Sequence, residues 1–300
     1  MSHDLPAAPP DWFTEALAVP VVTGITEVDG CDIAFRRWGD PGNPGLLLVH
    51  GGRAHSRWWD HVAPFFSKEC CVTALDLSGH GDSGRRPKYL FENWAEEIAV
   101  LASQTAAGSG RPPVVVAHSL GGHATFFAAA EYPGAFEGIM VVDSPVRDPS
   151  PDEDASYQQW SGPLRVYPTR VAALARFRMW PDAPSSLPYV TRHVAEMSIR
   201  QTAEGWTWKF DPTYSAHVGQ LHNGGLAQVS CRVAILRAQF GLLTAEIGAE
   251  MHEALGRTAP VVEIPLAHHH VMLDEPISLV TAVRSLLADW RHSSVVRAPD

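Results

Sequence analysis

Ser119 is the residue of this chain whose surroundings best suit a nucleophile. It follows the apolar segment Val114–His118, and the small residues Ala117 and Gly121 lie two positions before and after it. A serine on a tight turn from a strand into a helix needs such neighbours, because strand and helix approach closely there. The pattern predicts a nucleophile elbow, with Ala117 where glycine is usual. Taken alone, a serine here would equally well cap the helix that begins near Leu120.

A glycine-rich loop after another apolar run is the second feature with chemical meaning. The segment Leu46–Val49 is followed by His50–Gly52, and such a loop leaves backbone N–H groups free to point at a ligand. Acyl transfer needs two donors directed at the oxygen of the tetrahedral intermediate. We expect the N–H groups of Leu120, directly after the nucleophile, and of Gly52 to be this oxyanion hole.

Two further motifs complete the pattern. The turn Asp76–Ser83 follows a strand-like segment, and its Asp76 and His80 are expected to hold this loop in place. Near the end of the chain, His268–His270 precede Asp274–Pro276 and an amphipathic helix. Together, the four motifs resemble the α/β-hydrolase fold superfamily, from about Val28 to Trp290. The resemblance implies a mostly parallel central sheet, covered by helices on both faces.

The resemblance also assigns a base. In that family the catalytic histidine lies seven residues before the proline that opens the last helix, which is His269 here. Its neutral imidazole would take the proton of Ser119 and return it to the leaving group. A run of three histidines could instead bind a metal. Neighbouring residues of an extended segment point to opposite sides, and no Cys or carboxylate spacing completes a shell, so we expect no metal.

The acid of the triad departs from the commoner family pattern. Most relatives carry it in a turn after the strand that is Val233–Arg237 here, but the following Ala238–Gly241 contains no carboxylate. A subset of the family places the acid directly after strand six, which is Gly138–Val142 here and ends at Asp143. The resemblance therefore implies that Asp143 orients His269.

Two alternatives to this assignment stay open. Asp143 could simply cap the turn that follows it through Ser144 and Pro145. Glu246 is the reserve candidate for the acid, since it follows the strand after which the acid is missing. A place in the first turn of a helix that begins near Thr244 would also suit its negative charge.

The rest of the chain alternates between strands and helices, which predicts a mostly parallel sheet. We expect strands near 32–38, 45–49, 71–75, 113–118, 137–142, 231–237 and 260–264. Helices are expected near 56–67, 92–106, 120–131, 244–255 and 276–290. The predicted domains are an N-terminal extension (1–24), a hydrolase core (25–145 and 230–292), an inserted helical cap (146–229) and a flexible tail (293–300).

The cap is expected to shape the substrate pocket, because it breaks the alternating rhythm and is rich in proline and aromatic residues. The candidate pocket residues are Trp58, Trp59, His118, Trp160, Trp180 and Trp206.

Composition limits the partners. The formal net charge is −10, and its 23 Lys and Arg residues form no blocks, which disfavours nucleic acid and anionic membranes. No signal peptide or run of 18 apolar residues is found, and the four cysteines lack metal-like spacing. We therefore expect a cytoplasmic enzyme with reduced cysteines, a small-molecule substrate and no cofactor. The sequence leaves a monomer and a homodimer equally open.

These observations predict a serine hydrolase that cleaves a small, largely apolar carboxylic ester or lactone through an acyl-enzyme. A hydrolase of carbon–carbon bonds in ring-fission products would use the same triad and is the first alternative. A protein that binds a ligand without turnover is the alternative of another class, because fold does not fix function. Epoxide hydrolase and dehalogenase chemistry is disfavoured, since those relatives need a carboxylate nucleophile where this chain has Ser119.

Overall fold

A twisted eight-stranded sheet forms the centre of the computed structural model, which describes residues 8–147, 164–216 and 223–293. The strands of the described chain are β1 (Val22–Val28), β2 (Cys31–Trp38), β3 (Gly45–Val49), β4 (Cys71–Leu75), β5 (Val114–His118), β6 (Gly138–Val142), β7 (Ile199–Thr202), β8 (Gly205–Trp208), β9 (Arg232–Phe240) and β10 (Val261–His268). The order in the sheet is β1-β2-β4-β3-β5-β6-β9-β10, and β7 and β8 form a separate hairpin.

The middle of the sheet is parallel and covered on both sides. β3, β4, β5 and β6 are buried at every position, as expected for continuous apolar runs between two layers of helices. All pairings from β4 to β10 are parallel, whereas β1 and β2 join antiparallel. The α/β fold class predicted from the sequence is therefore confirmed.

Helices cover the two faces of the sheet. The described α-helices are Asp11–Ala18, Phe91–Ala106, Leu120–Glu131, Arg170–Leu174, Pro188–Met197, Asn223–Leu226, Ala245–Ala254, Val271–Asp274 and Pro276–His292. Phe91–Ala106, Leu120–Glu131 and Ala245–Ala254 pack on one face, and Pro276–His292 packs on the other. This places the turns after β3, β5, β6 and β10 together at the carboxyl edge of the sheet, where ligands bind in open α/β folds.

Two elements in the first half of the core differ from the sequence prediction. The helix expected over 56–67 is two short 3-10 helices, Ser56–Trp59 and Ala63–Phe66, because Pro64 lacks the N–H that a continuous helix requires. Strand β1 was not predicted. As an edge strand it alternates between exposed and half-buried residues, which gives a much weaker apolar signal than the buried strands.

The N-terminal segment is not a simple extension of the core. The helix Asp11–Ala18 precedes β1, and Phe13 is buried against the rings of His61 and Tyr189, whose centroids lie 5.8 and 5.0 Å away. Tyr189 belongs to the insertion between β6 and β9. The start of the chain thus packs against both the core and the insertion, whereas an extension was expected up to residue 24.

The insertion between β6 and β9 is only partly helical. Besides three α-helices, its described residues contain the antiparallel hairpin of β7 and β8 and the 3-10 helix Pro212–Ala216. Trp206 and Trp208 lie on β8, where aromatic residues favour a strand. The described part of the predicted cap is therefore not purely helical. Of the predicted tail (293–300), residues 294–300 lie outside the described residues.

The four cysteines are free thiols. Cys31, Cys70 and Cys71 are buried, and burial raises the pKa of each thiol. Among the residues that the structure describes, no helix combines the length and the apolar character needed to cross a membrane.

Buried histidines should make the protein sensitive to acid. Burial lowers the pKa of His61 to about 4 and those of His80 and His270 to about 3, from 6.5 in the unfolded chain. Below pH 6.5 the unfolded state binds more protons, so the free energy of unfolding falls as pH falls toward these folded-state values. At pH 5 each such histidine lowers the free energy of unfolding by roughly 2 kcal/mol. The three together approach the whole free energy of unfolding of a usual domain.

Urea unfolding at pH 7.5 and pH 5 measures this loss. His61→Gln keeps a donor for the Met272 carbonyl, which His61 Nε2 contacts at 2.6 Å, and should reduce the loss between the two pH values by roughly 2 kcal/mol. His292→Gln, at an exposed position, is the matched control and should leave the loss unchanged. An equal loss in wild type and His61→Gln would contradict the prediction.

Candidate active site

Ser119 lies on the sharp turn between β5 and the helix Leu120–Glu131. Its backbone has φ 51° and ψ −122°, a conformation that a serine adopts only under strain. The turn is held by the Ser119 N–H, which donates to the Val142 carbonyl at 3.1 Å. A Cβ added to Gly121 would lie 2.3 Å from the His50 carbonyl oxygen, so the small residue predicted at this position is required by backbone contact.

His269 follows β10 and reaches across to both predicted partners. Its Nε2 lies 3.0 Å from Ser119 Oγ, and its Nδ1 lies 2.6 Å from Asp143 Oδ2. The carboxylate fixes the proton on Nδ1, which leaves Nε2 free to accept the serine proton. The structure therefore brings Ser119, His269 and Asp143 into one hydrogen-bonded chain, although 150 residues separate the serine and the histidine.

Asp143 is fully buried at the end of β6, with φ 44°. Besides His269, its carboxylate accepts the N–H groups of Leu242 at 2.8 Å and Leu243 at 3.1 Å. These donors belong to the loop after β9, where most relatives would carry the acid itself. In this chain that loop provides backbone N–H groups, which bind a carboxylate supplied by the neighbouring strand.

Glu246, the reserve candidate for the acid, makes no hydrogen bond or ion pair with His269 among the described residues. It is exposed in the first turn of the helix Ala245–Ala254, where the backbone N–H groups and Thr244 lower the pKa of its carboxyl. The structure thus gives Glu246 the position at a helix N-terminus that its sequence also allowed.

Gly241 is a residue of the site that sequence reasoning missed. A Cβ at this position would lie 2.2 Å from Asp143 Oδ1 and 2.4 Å from Oδ2. Since both oxygens are fixed by hydrogen bonds, Gly241→Ala should displace the carboxylate from His269. We expect kcat of an ester substrate to fall by about 100-fold or more, because an imidazole that is misplaced by about 1 Å loses that much.

The matched control for Gly241→Ala is Gly248→Ala, because Gly248 is buried in the next helix and an added Cβ would only touch Val261 at 3.6 Å. Steady-state kinetics of both variants, with thermal unfolding to check the fold, measure the effect. If Gly241→Ala retained wild-type kcat, the contact with Asp143 would have no catalytic consequence.

The two predicted oxyanion donors lie on either side of the serine. Leu120 is the first residue of the helix after Ser119, and Gly52 lies in the loop after β3. Among the described residues, neither backbone N–H donates a hydrogen bond. A Cβ on Gly52 would lie 3.7 Å from the Leu120 side chain and 2.7 Å from Tyr214 Oη, so the two loops adjoin and Tyr214 of the insertion covers them.

His118 and His270 surround His269 with neutral rings. Their ring centroids lie 4.6 and 4.9 Å from that of His269. Burial, followed by the charge that His269 can carry, lowers the pKa of both, to about 3 for His270. His118 Nε2 donates to the His269 carbonyl at 2.8 Å. Both neighbours therefore stay neutral beside His269, and His118 holds its backbone.

The same three histidines are the residues that could hold a metal. One ring nitrogen of each lies within 4.8 Å of the others, so the expectation that neighbouring imidazoles point to opposite sides is wrong here. His269 already uses both ring nitrogens in hydrogen bonds to Ser119 and Asp143. An ion on Nε2 would occupy the atom that accepts the serine proton, and the absence of a metal cofactor stays a prediction.

Asp76 holds the loops beside the site, as expected. Its carboxylate accepts the N–H groups of Ser56 at 2.5 Å and Asp82 at 2.8 Å, which links the loop after β3 to the loop after β4. His80 is buried within the second of these loops, with its ring 4.7 Å from that of Tyr214. Neither residue contacts Ser119.

A cavity of about 410 Å³ extends from this edge of the sheet toward the insertion. Its lining residues are Gly52, Arg53, Trp58, Leu164, Arg165, Arg176, Phe177, Arg178, Met179, Trp180, Ser198, Trp208, Phe210, Pro212 and His270. Gly52 and His270 connect it to the groups described above. Its volume is that of a small-molecule site.

The predicted pocket residues divide into three groups. Trp58 and Trp180 line the cavity, whereas Trp59, Trp206 and His118 do not. Trp59 is fully buried in the core, because successive residues of a 3-10 helix point about 120° apart. His118 lies beneath His269, Trp206 lies nearer the hairpin turn than the lining Trp208, and Trp160 is outside the described residues.

Ser198 is a second serine with a histidine partner, and it faces the cavity. His55 Nε2 lies 2.9 Å from Ser198 Oγ, and Ser198 Oγ donates to the Val194 carbonyl at 2.7 Å. Because this hydroxyl gives its proton to a carbonyl, the His55 nitrogen must donate, and it cannot act as a base. The pair therefore differs chemically from Ser119 and His269.

Comparison with known proteins finds relatives of this chain. A family model described as the alpha/beta hydrolase family matches residues 46–283. Esterase Rv0045c of Mycobacterium tuberculosis is 25% identical and covers 88% of this chain and 89% of its own. Lipase LipV of the same species is 22% identical, over 85% of this chain and 98% of its own. The crystal structure of E-2-(acetamidomethylene)succinate hydrolase superposes with a TM-score of 0.77 at 22% identity, over 90% of this chain and all of that one.

Proposed function

Because the chain belongs to the alpha/beta hydrolase family, we propose that it is a serine hydrolase that cleaves a small carboxylic ester or lactone through an acyl-enzyme. The observation that carries the proposal is the hydrogen-bonded chain from Ser119 through His269 to Asp143, at 3.0 and 2.6 Å. A relative named esterase and another named lipase cover most of this chain, which supports ester hydrolysis.

Acylation begins when Ser119 Oγ attacks the ester carbonyl carbon. His269 Nε2 takes the hydroxyl proton, and Asp143 stabilises the positive imidazolium that results. The carbonyl oxygen becomes an oxyanion, which the N–H groups of Gly52 and Leu120 would bind; each such donor typically contributes about 100- to 1000-fold in rate. The intermediate then expels the alcohol, which receives the proton from His269.

Deacylation repeats these steps with water. His269 removes a proton from water as the water oxygen attacks the acyl carbonyl, and the same two N–H groups bind the second oxyanion. Collapse of this intermediate breaks the bond to Ser119 Oγ, which regains its proton from His269. The carboxylic acid leaves and the enzyme returns to its starting state, so no cofactor takes part.

Labelling with a fluorophosphonate tests the proposal without a guess about the substrate. The reagent phosphonylates an activated serine and releases fluoride, and intact-mass analysis counts the adducts. We expect one adduct per chain on the folded wild type, at Ser119 by peptide mapping. An adduct at Ser198, or no adduct on folded protein, would contradict the proposal. The second result would favour a protein that binds a ligand without turnover.

We further propose that the enzyme acts in the cytoplasm on a small molecule, without nucleic acid or a membrane as partner. Four free cysteines and a net charge of −10 support this, since unpaired thiols suit a reducing compartment and negative charge repels polyanions. Fractionation of the native host cell tests the location: we expect the enzyme in the cytosolic fraction.

A further inference from the structure

The charged residues that line the cavity all carry the same sign. Arg53, Arg165, Arg176 and Arg178 line it, and no Asp or Glu is among its described lining residues. The whole chain has the opposite balance, with 33 acidic and 23 basic residues. An excess of arginine over acidic residues is therefore a local property of the described lining of this cavity.

Two nearby carboxylates are engaged elsewhere. Asp82 pairs with Lys209 at 2.7 Å, and Asp211 accepts the Tyr89 hydroxyl at 3.0 Å and pairs with Arg85 at 3.8 Å. Among the described residues, no carboxylate pairs with Arg165, Arg176 or Arg178. These neighbouring acids therefore do not neutralise Arg165, Arg176 or Arg178.

The arginines also lie close to the proposed chemistry. Arg53 directly follows Gly52, has φ 60°, and stacks on Phe210 with its guanidinium 5.7 Å from the ring centroid. Arg178 Nη1 donates to the Phe177 carbonyl at 2.6 Å, which holds its side chain near the wall. One arginine thus belongs to the oxyanion loop, and the other three belong to the insertion.

We propose that the substrate is an ester whose acyl or alcohol part carries a second, ionised carboxylate, bound by these cavity arginines. The inference rests on the proposed function and narrows its substrate class. Arginine binds carboxylates through two parallel N–H donors, and a cleft lined by charge of one sign attracts the opposite ion. A largely apolar substrate, as predicted from the sequence, would leave this charge unused.

Two substrate pairs test the proposal. For the acyl side we would compare 4-nitrophenyl hydrogen glutarate with 4-nitrophenyl pentanoate, and for the alcohol side 4-acetoxybenzoate with phenyl acetate. The quantity is the ratio of kcat/KM for the anionic and the neutral ester, in wild type and in the triple variant Arg165→Gln, Arg176→Gln, Arg178→Gln. We expect this ratio to fall about tenfold in the variant in at least one pair, with the neutral ester changed less than about twofold.

The control is a triple variant with the same change in net charge, Arg111→Gln, Arg257→Gln, Arg291→Gln, at positions away from the cavity where each arginine pairs with a glutamate. It should leave both ratios unchanged, and 0.5 M NaCl should reduce the anionic preference of wild type and of this control more than that of the cavity variant. Ratios that are equal in wild type and the cavity variant, for both pairs, would overturn the substrate class. If folded wild type showed neither ester hydrolysis nor fluorophosphonate labelling, the proposed function would instead be overturned.

Discussion

Ser119→Ala is expected to leave the protein folded and to lower kcat for any ester by about a million-fold, with loss of the fluorophosphonate adduct. Ser119 provides the atom that attacks, and His269 has no other hydroxyl within hydrogen-bond reach among the described residues. The fold should tolerate the change, because Ser119 Oγ makes no other hydrogen bond there and alanine meets the same backbone strain. Stopped assays with a long incubation measure the residual rate.

Ser198→Ala is the matched control, since Ser198 also faces the cavity and contacts a histidine. We expect it to keep kcat within about threefold of wild type, because its hydroxyl serves only the Val194 carbonyl and His55. Near-normal turnover in Ser119→Ala, combined with inactivity of Ser198→Ala, would show that Ser198 is the nucleophile.

Asparagine in place of Asp143 is expected to lower kcat by roughly 10⁴-fold while the fold persists. The amide cannot stabilise the imidazolium of His269, and an NH₂ group directed at Nδ1 would favour the wrong tautomer. The NH₂ group of the amide would also face a donor, either the N–H groups of Leu242 and Leu243 or that of His269. Part of the hydrogen-bond network is therefore lost in both orientations of the amide. Steady-state kinetics of wild type and Asp143→Asn with an ester substrate measure the loss.

Glu246→Gln is the comparison that separates the two acids. Glu246 is exposed in the first turn of its helix, so we expect its variant to retain wild-type kcat. Retained activity in Asp143→Asn together with inactivity of Glu246→Gln would show that the acid assignment is wrong. Fluorophosphonate labelling of Asp143→Asn should be slowed and still reach one adduct per chain.

The features that sequence could predict are local or rest on buried strands. Strands β3 and β4 have the predicted bounds. A short apolar run that ends at a turn predicts a strand buried on both faces, and its ends are marked by the turn residues. The serine turn could be predicted because its constraints lie within a few residues. His269 and Asp143 needed the family resemblance, since nothing in local sequence relates groups that fold together from 126 residues apart.

The features that escaped prediction depend on contacts between distant segments. The carboxylate of Asp143 is held by backbone N–H groups of Leu242 and Leu243, and backbone donors leave no trace in side-chain types. The cavity arginines come from the oxyanion loop and from the insertion, and their convergence is a property of packing. Trp58 and Trp59 are adjacent in sequence, yet only the first lines the cavity, because a 3-10 turn directs neighbours to different sides.

The position of the acid at the end of β6 has a consequence for synthesis of the protein. A ribosome that has translated the chain through Asp143 has already produced the proposed nucleophile, carboxylate and both oxyanion donors, but the base follows 126 residues later. Under the proposed mechanism, the nascent chain therefore has no hydrolytic activity while the insertion is translated. Activity would begin only when β10, the last described strand, joins the edge of the sheet.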